Sequence, residues 1–365
     1  MSDHHPMHTS PINTKARRDA VRARLEELGA DALLVTKPVN VRYLTGFSGS
    51  NGQLVVGEED IFFTDSRYEE QSRHQVPDCR REIFDSRSGW DRIVPELGTA
   101  ARIAIEAHHL TVASAGRLKA ALGDGRTLVE AENVVESRRL IKDAGEIERI
   151  RRACAFGDAG FQEILGRLRE GMTEVELAAE LEDAMRRAGS EGLSFDTIVA
   201  FGESAAEPHH EPIERRLKRG DVVKLDFGAT FEGYHSDMTR TIAFGDPGEE
   251  MRTVYEAVRA GQQAGLEAVK DGASSGDVDE ASRAPIRAAG YDYGHATGHG
   301  CGLEVHEAPT VRSKGADILA PGMTVTVEPG IYLPGLGGVR IEDLLAVTAD
   351  GYDVLTTSPK ELIVV

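Results

Sequence analysis

The chain has 365 residues, of which 40% are hydrophobic, 28% charged and 5% aromatic, and it carries a formal net charge of -19. That length exceeds what one ordinary core holds, so two domains are expected, and the residue usage is that of a folded globular protein. The acidic excess argues against nucleic acid or an anionic membrane surface as partner, because a phosphate-binding face needs clustered Lys and Arg. Cys79, Cys154 and Cys301 are odd in number, widely spaced and free of any C-x-x-C pair. This fits a reducing, cytoplasmic setting better than a disulfide framework or a zinc ribbon. Residues 1–11 include His4, His5 and His8 but no apolar run, and read as a polar end rather than a secretory signal or a membrane span.

In chain order, an amphipathic stretch over 14–28 predicts a helix stopped by Gly29, and Ala32-Leu33-Leu34-Val35 a buried strand. Short strands are predicted over 41–44, 53–56 and 61–64, and later strands alternate with helical patterns, which makes residues 12–135 an α/β domain. The glycine-rich run 46–52 lacks the Lys-Ser/Thr ending of a phosphate-binding loop and is read as a plain loop. Residues 136–145 form a charged linker into a second domain, 146–365, which opens with a helix predicted over 146–169 and stopped by Gly171. From there the pattern of helix, glycine break and helix recurs. The interval from Gly171 to Gly272 equals that from Gly189 to Gly290. Two such units predict a pseudo-twofold α+β domain, with helices covering a bent antiparallel sheet and a cleft where the halves meet.

Each half also predicts an acidic hairpin. In the first, Val222-Val223-Lys224-Leu225-Asp226-Phe227 and Tyr234-His235-Ser236-Asp237-Met238-Thr239 flank a turn near Glu232-Gly233, and a simple register puts Asp226 opposite Asp237. Directly opposed β-carbons lie roughly 5 Å apart, where two bare carboxylates repel by about 3 kcal/mol at an effective dielectric of about 20. In the second, Glu328 and Glu342 are equidistant from Gly335. The two acidic pairs could share protons or bracket cations, and four carboxylates exceed what a proton-sharing dyad requires. A nearby imidazole, His299 in Gly298-His299-Gly300-Cys301-Gly302, favours divalent metal; such a set suits Mn²⁺, Co²⁺, Fe²⁺ or Zn²⁺. Cys301 reads as a small side chain packed under that loop, with a thiolate ligand as the alternative.

These motifs, together with Asn40-Val41-Arg42-Tyr43-Leu44-Thr45-Gly46-Phe47 and Gly337-Gly338-Val339-Arg340-Ile341-Glu342-Asp343, resemble the creatinase, methionine aminopeptidase and prolidase group with its "pita-bread" catalytic fold. The smaller domain makes the chain similar to the Xaa-Pro dipeptidase and Xaa-Pro aminopeptidase branch. The resemblance implies two divalent ions, Mn²⁺ foremost with Co²⁺, Zn²⁺ or Fe²⁺ as alternatives. Asp226 would hold one, His299 and Glu328 the other, and Asp237 and Glu342 both. It implies further that Glu328 shuttles the proton, that His209 and His306 steady the substrate carbonyl and the oxyanion, and that His295 lines a proline pocket. Arg340 is implied beside the substrate site as a donor that orients a bridging carboxylate. The substrates would be proline-containing dipeptides or short peptides, and the assembly a homodimer in which the smaller domain borders the neighbour's cleft.

Some residues depart from the pattern. Glu203 and Glu207 stand where Asn and an apolar residue are common, and are expected to repel a substrate's C-terminal carboxylate. Arg312 or Lys314 is the candidate partner for that carboxylate, and His210 competes with His209. Two alternative functions remain at this stage, a non-catalytic peptide- or protein-binding module on the same fold and a creatinase-like amidinohydrolase.

Overall fold

A computed structural model describes residues 12–84 and 89–365, which form two compact units, 12–139 and 140–365. No helix among the described residues is long and apolar enough to cross a membrane.

The first unit is a six-stranded sheet built from β1 (Ala32–Val35), β2 (Gly52–Val56), β3 (Ile61–Asp65), β4 (Arg80–Phe84), β5 (Arg102–Glu106) and β6 (Thr127–Ala131) in the order β4-β3-β2-β1-β5-β6. Leu34, Phe63, Ile103 and Leu118 are fully buried in its core. The strand predicted over 41–44 is instead part of the helix Pro38–Thr45. Pro38 presets helical φ in the first turn, and Gly46 ends the helix at φ 80, so punctuation outweighs the β-branched Val41.

The second unit contains the duplication. Helix Ala144–Leu165 starts earlier than predicted because Asp143 and Glu146 form a capping box. It packs on helix Glu174–Ala188, and helix Gly248–Ala268 packs likewise on helix Ser275–Ala288. Thr173 and Ser274, each two residues past a glycine of positive φ, cap the second helix of each pair. In the first half, β7 (Ile198–Phe201), β8 (Val222–Phe227) and β11 (Met238–Ala243) form a sheet ordered β11-β8-β7, and β9 (Thr230–Phe231) and β10 (Tyr234–His235) close its hairpin. In the second, β12 (Gly298–Gly300) pairs with β13 (Glu307–Val311), and β14 (Thr324–Val327) with β17 (Asp343–Thr348) and β18 (Gly351–Val354). Between them β15 (Gly330–Leu333) pairs with β16 (Gly337–Arg340). Every strand pair of this unit is antiparallel. Phe161, Leu177, Leu181 and Met185 seal the first sheet against Leu225 and Phe227, and Leu266 and Val278 seal the second against Val325, Val327 and Leu345. Each such side chain contributes about 1.5–3 kcal/mol of burial.

The halves are joined by a seam that runs beside the acidic residues. The Glu342 amide donates to the Thr239 carbonyl at 3.1 Å, and the Thr241 hydroxyl donates to the Arg340 carbonyl at 2.9 Å. On the far side of the cleft β12 lies so close to β14 that a β-carbon at Gly298 would overlap the Thr326 carbonyl oxygen. We therefore expect Gly298→Ala to lower stability by about 1–3 kcal/mol and to displace His299, read as a lower urea midpoint together with weaker divalent-ion binding. Unchanged values of both would show that the approach is not needed.

Candidate metal centre

The hairpin registers decide where the acids lie. Glu232 and Gly233 both have positive φ, 47 and 78, and form the two-residue turn, so Phe231 opposes Tyr234 and Thr239 opposes Asp226. Asp226 is therefore not directly opposite Asp237, as the simple register predicted, but two residues off it on the diagonal. The second hairpin keeps the predicted register. Val327 opposes Asp343 and Gly330 opposes Arg340, which leaves Glu328 facing Glu342 between them, and Pro329 introduces no slip.

The four carboxylates and His299 converge. Ligand atoms of Asp226, Asp237 and Glu342 lie within 4.8 Å of one another, as do those of His299, Glu328 and Glu342, and those of Asp237, His299 and His306. His299 Nδ1 donates to the Gly300 carbonyl at 3.0 Å, so Nε2 presents its lone pair. That nitrogen is 3.4 Å from Glu328 Oε1 and 3.5 Å from Asp237 Oδ2. Lone pair facing carboxylate is repulsive unless a cation or proton stands between them.

The same point holds for the carboxylates. Asp226 is 9%, Asp237 4% and Glu342 1% exposed. Thr239 donates to Glu342 Oε2 at 2.7 Å and Arg340 to Asp226 Oδ2, yet Asp226 Oδ1 and Glu342 Oε1 are buried without any hydrogen-bond partner. An orphaned buried carboxylate oxygen is costly, and two beside an unprotonated imidazole fit oxygen-seeking divalent cations. Burial first, then repulsion from neighbouring acids, raises the Asp237 and Glu342 carboxyls well above their usual range; burial and Asp226 push Glu328 to about 8. Burial pulls His299 and His295 down to about 4.

A cavity of about 420 Å³ opens over this cluster, lined also by Phe195, Ile198, Pro208, His209, His295, His306 and Arg340. His209 is exposed to it, whereas His210 is buried and bonded to Glu207 and Glu174 at 2.8 and 2.7 Å. His295 Nδ1 donates to the Ala296 carbonyl and Nε2 accepts from the Tyr332 hydroxyl at 3.0 Å. The His306 ring stands edge-on to His299, 4.3 Å between centroids. Arg340, expected to orient a bridging carboxylate, lies on Asp226 and reaches Glu342 only through Thr239, whose hydroxyl accepts from its Nε at 3.0 Å. Glu203, Glu207, Arg312 and Lys314 are not among the residues that line this cavity. Cys301 is buried under the loop, where its Sγ donates to the His235 carbonyl 3.3 Å away, and burial pushes its thiol well above the usual range. Thr239, Tyr332 and Lys224 were missed by sequence reasoning. Lys224 inside the mostly apolar run 222–227 was the available signal.

The pKa directions give a pH test. A carboxyl raised in the folded state binds its proton more tightly folded than unfolded, so its contribution falls as pH rises from the unfolded value of 4.5 toward 8 for Glu328. His295 and His299, lowered from 6.5 to about 4, contribute the opposite slope, but only below about 6.5. Metal-stripped protein is therefore expected to lose melting temperature between about pH 6.5 and 8, and added Mn²⁺ to abolish the slope. A flat or rising profile without metal would contradict this electrostatic account.

Residues 148–349 match metallopeptidase family M24, and residues 17–141 match the creatinase/prolidase N-terminal domain. The chain is similar to the Xaa-Pro dipeptidase of Pyrococcus furiosus, at 35% identity over 96% of this chain and 100% of that one. Among solved structures it is similar to an Xaa-Pro dipeptidase from Bacillus anthracis, at 38% identity, covering 97% of this chain and 100% of that chain, with a TM-score of 0.93. It is also similar to an X-Pro aminopeptidase from Thermotoga maritima, at 36% identity, 94% and 100% coverage, and a TM-score of 0.87. A catalytic-domain match over more than half of the sequence, and full-length likeness to these peptidases, show that the chain belongs to metallopeptidase family M24 and is a hydrolase with a creatinase/prolidase N-terminal domain and a pita-bread catalytic domain.

Proposed function

We propose that this chain hydrolyses the Xaa-Pro bond at the N-terminus of dipeptides or short peptides with two divalent ions held by Asp226, Asp237, His299, Glu328 and Glu342. The observation that carries the reading is the pair of partnerless oxygens, Asp226 Oδ1 and Glu342 Oε1, beside the His299 lone pair at the floor of a substrate-sized cavity. Mn²⁺ is the ion of choice, with Co²⁺, Fe²⁺ and Zn²⁺ as alternatives for so oxygen-rich a set. When bound, such ions polarise the scissile carbonyl and make water acidic enough to attack near neutral pH.

The remaining steps belong to side chains. Glu328, the most accessible of the buried acids with 18% of its side chain exposed, takes the proton of the attacking water on a carboxylate oxygen and delivers it to the prolyl nitrogen. His209 and His306, both exposed to the cavity, donate to the substrate carbonyl and then to the oxyanion. His295, Phe195 and Ile198 supply an apolar wall for the proline ring, and Arg340 holds Asp226 in place. A prolyl amide has no N–H for a general peptidase to grip, so a shaped pocket replaces that handle. The binding-module and amidinohydrolase readings are not favoured, since each predicts a depleted donor set.

The test is hydrolysis of Ala-Pro and Ala-Pro-Ala with Mn²⁺ and with chelator. Metal-dependent cleavage of Ala-Pro alone identifies a dipeptidase, and cleavage of the tripeptide an aminopeptidase. Glu328→Gln is expected to lower kcat at least about 100-fold. Cleavage of neither peptide by metal-loaded protein overturns the specificity. A homodimer belongs to the same reading, as does a cytoplasmic location, with which three free cysteines are in keeping. Light scattering is expected to give about twice the chain mass of 39.5 kDa, and a monomer at micromolar concentration would refute the dimer.

A further inference from the structure

Lys224 is fully buried in the centre of β8, on the same face as Asp226. Its amine is paired with no carboxylate among the described residues. It donates instead to the carbonyls of Ala205 at 3.2 Å, Glu207, and Pro208 at 3.4 Å, above the Tyr332 ring at 5.3 Å. Burying an ammonium costs several kcal/mol, and an apolar side chain of like volume would serve the core better. Three carbonyls turned toward one point would in turn repel one another without a donor between them, and the Lys224 amine is that donor.

The loop held this way ends at His209. The Pro208 carbonyl, half of the Pro208–His209 peptide, receives a second donor, Arg340 Nη1 at 3.1 Å. One residue beyond, His210 is pinned by Glu207 and Glu174, and Glu174 also accepts from the amides of Phe201 and Ile213 at 2.8 and 3.0 Å. The backbone is thus fixed on both sides of a residue whose own side chain faces the cavity.

We propose that Lys224 is a positioning residue for His209: its amine clamps the 205–208 carbonyls and so aims the His209 imidazole at the reacting carbonyl. The proposal rests on the role given to His209 above. Misplacing a contributing group by about 1 Å costs up to roughly 100-fold in rate. Lys224→Met is expected to lower kcat on the peptide cleaved about 10- to 100-fold, with KM within about 3-fold and metal content unchanged. The loss is expected to shrink to about 3-fold or less in a His209→Ala background, because the two variants then remove one and the same interaction.

Amide hydrogen exchange across 205–210 is expected to quicken in Lys224→Met at unchanged global stability, and Lys224→Arg to recover part of kcat. Unchanged exchange, or an equal kcat loss with and without His209, overturns the proposal. If Lys224→Met does not fold, Lys224→Gln is measured by the same criteria; insolubility of both assigns Lys224 to the core and overturns the proposal too. His209→Ala with undiminished kcat refutes the role of His209 itself, while exchange still reports whether Lys224 holds the loop.

Discussion

Four carboxylates drawn into one buried cluster repel one another, and much of the catalytic domain is arranged to keep them there. Without a cation they are relieved by holding protons, which is why burial and the neighbouring acids raise Asp237, Glu342 and Glu328. Arg340 spends one arm of its guanidinium on Asp226, another on Tyr332 at 2.9 Å, and its Nε on Thr239, which passes a hydrogen bond to Glu342. These donors satisfy one oxygen each of Asp226 and Glu342 and leave the other bare. The unsatisfied half of the charge is what a divalent cation would bind, so stability and function meet in the same atoms.

Rigid backbone makes such crowding tolerable. Asp226 stands within β8, Asp237 immediately before β11, Glu328 just after β14 and Glu342 just before β17. A carboxylate on a strand end has few rotamers and a fixed root, and cannot swing to solvent to relieve repulsion. Behind the cluster Arg240 and Asp343 form an ion pair at 2.7 Å, both essentially fully buried, with Gln262 and Thr356 each 2.8 Å from Asp343. Asp343 follows Glu342 directly, and Arg240 also donates to the Glu342 carbonyl, so this network fixes the base from which Glu342 projects.

The sequence carried the donors more clearly than it carried their geometry. Acidic residues inside apolar strands, and a histidine between glycines, conflict with ordinary core formation and stand out on that ground. The register of the second hairpin was legible because its turn centres on Gly335. That of the first was not, because a type I′ turn at Glu232 and Gly233 sits one residue from the place that would pair the two aspartates directly. Distances along the chain hid the rest. Arg340 and Asp226, or Lys224 and the carbonyl of Pro208, are contacts made by folding two segments together, and no local pattern announces them. Helix Pro38–Thr45 was misread for the opposite reason: a local β-branched cue was present, and proline and glycine at the two ends overruled it.

Duplication also explains why the site is directional. β8, which carries Asp226, corresponds in the second half to β14, just after which Glu328 stands, and β7 beside β8 corresponds to β12 beside β14. By the interval that relates Gly171 to Gly272, the counterpart of His299 on β12 is Ile198 on β7, and both face the cavity. At this pair of positions the first half presents an apolar side chain to the cavity and the second half a nitrogen donor. A peptide has two unlike ends, and a cluster flanked by identical side chains could not tell them apart; the unlike pair Ile198 and His299 breaks that equivalence beside the carboxylates.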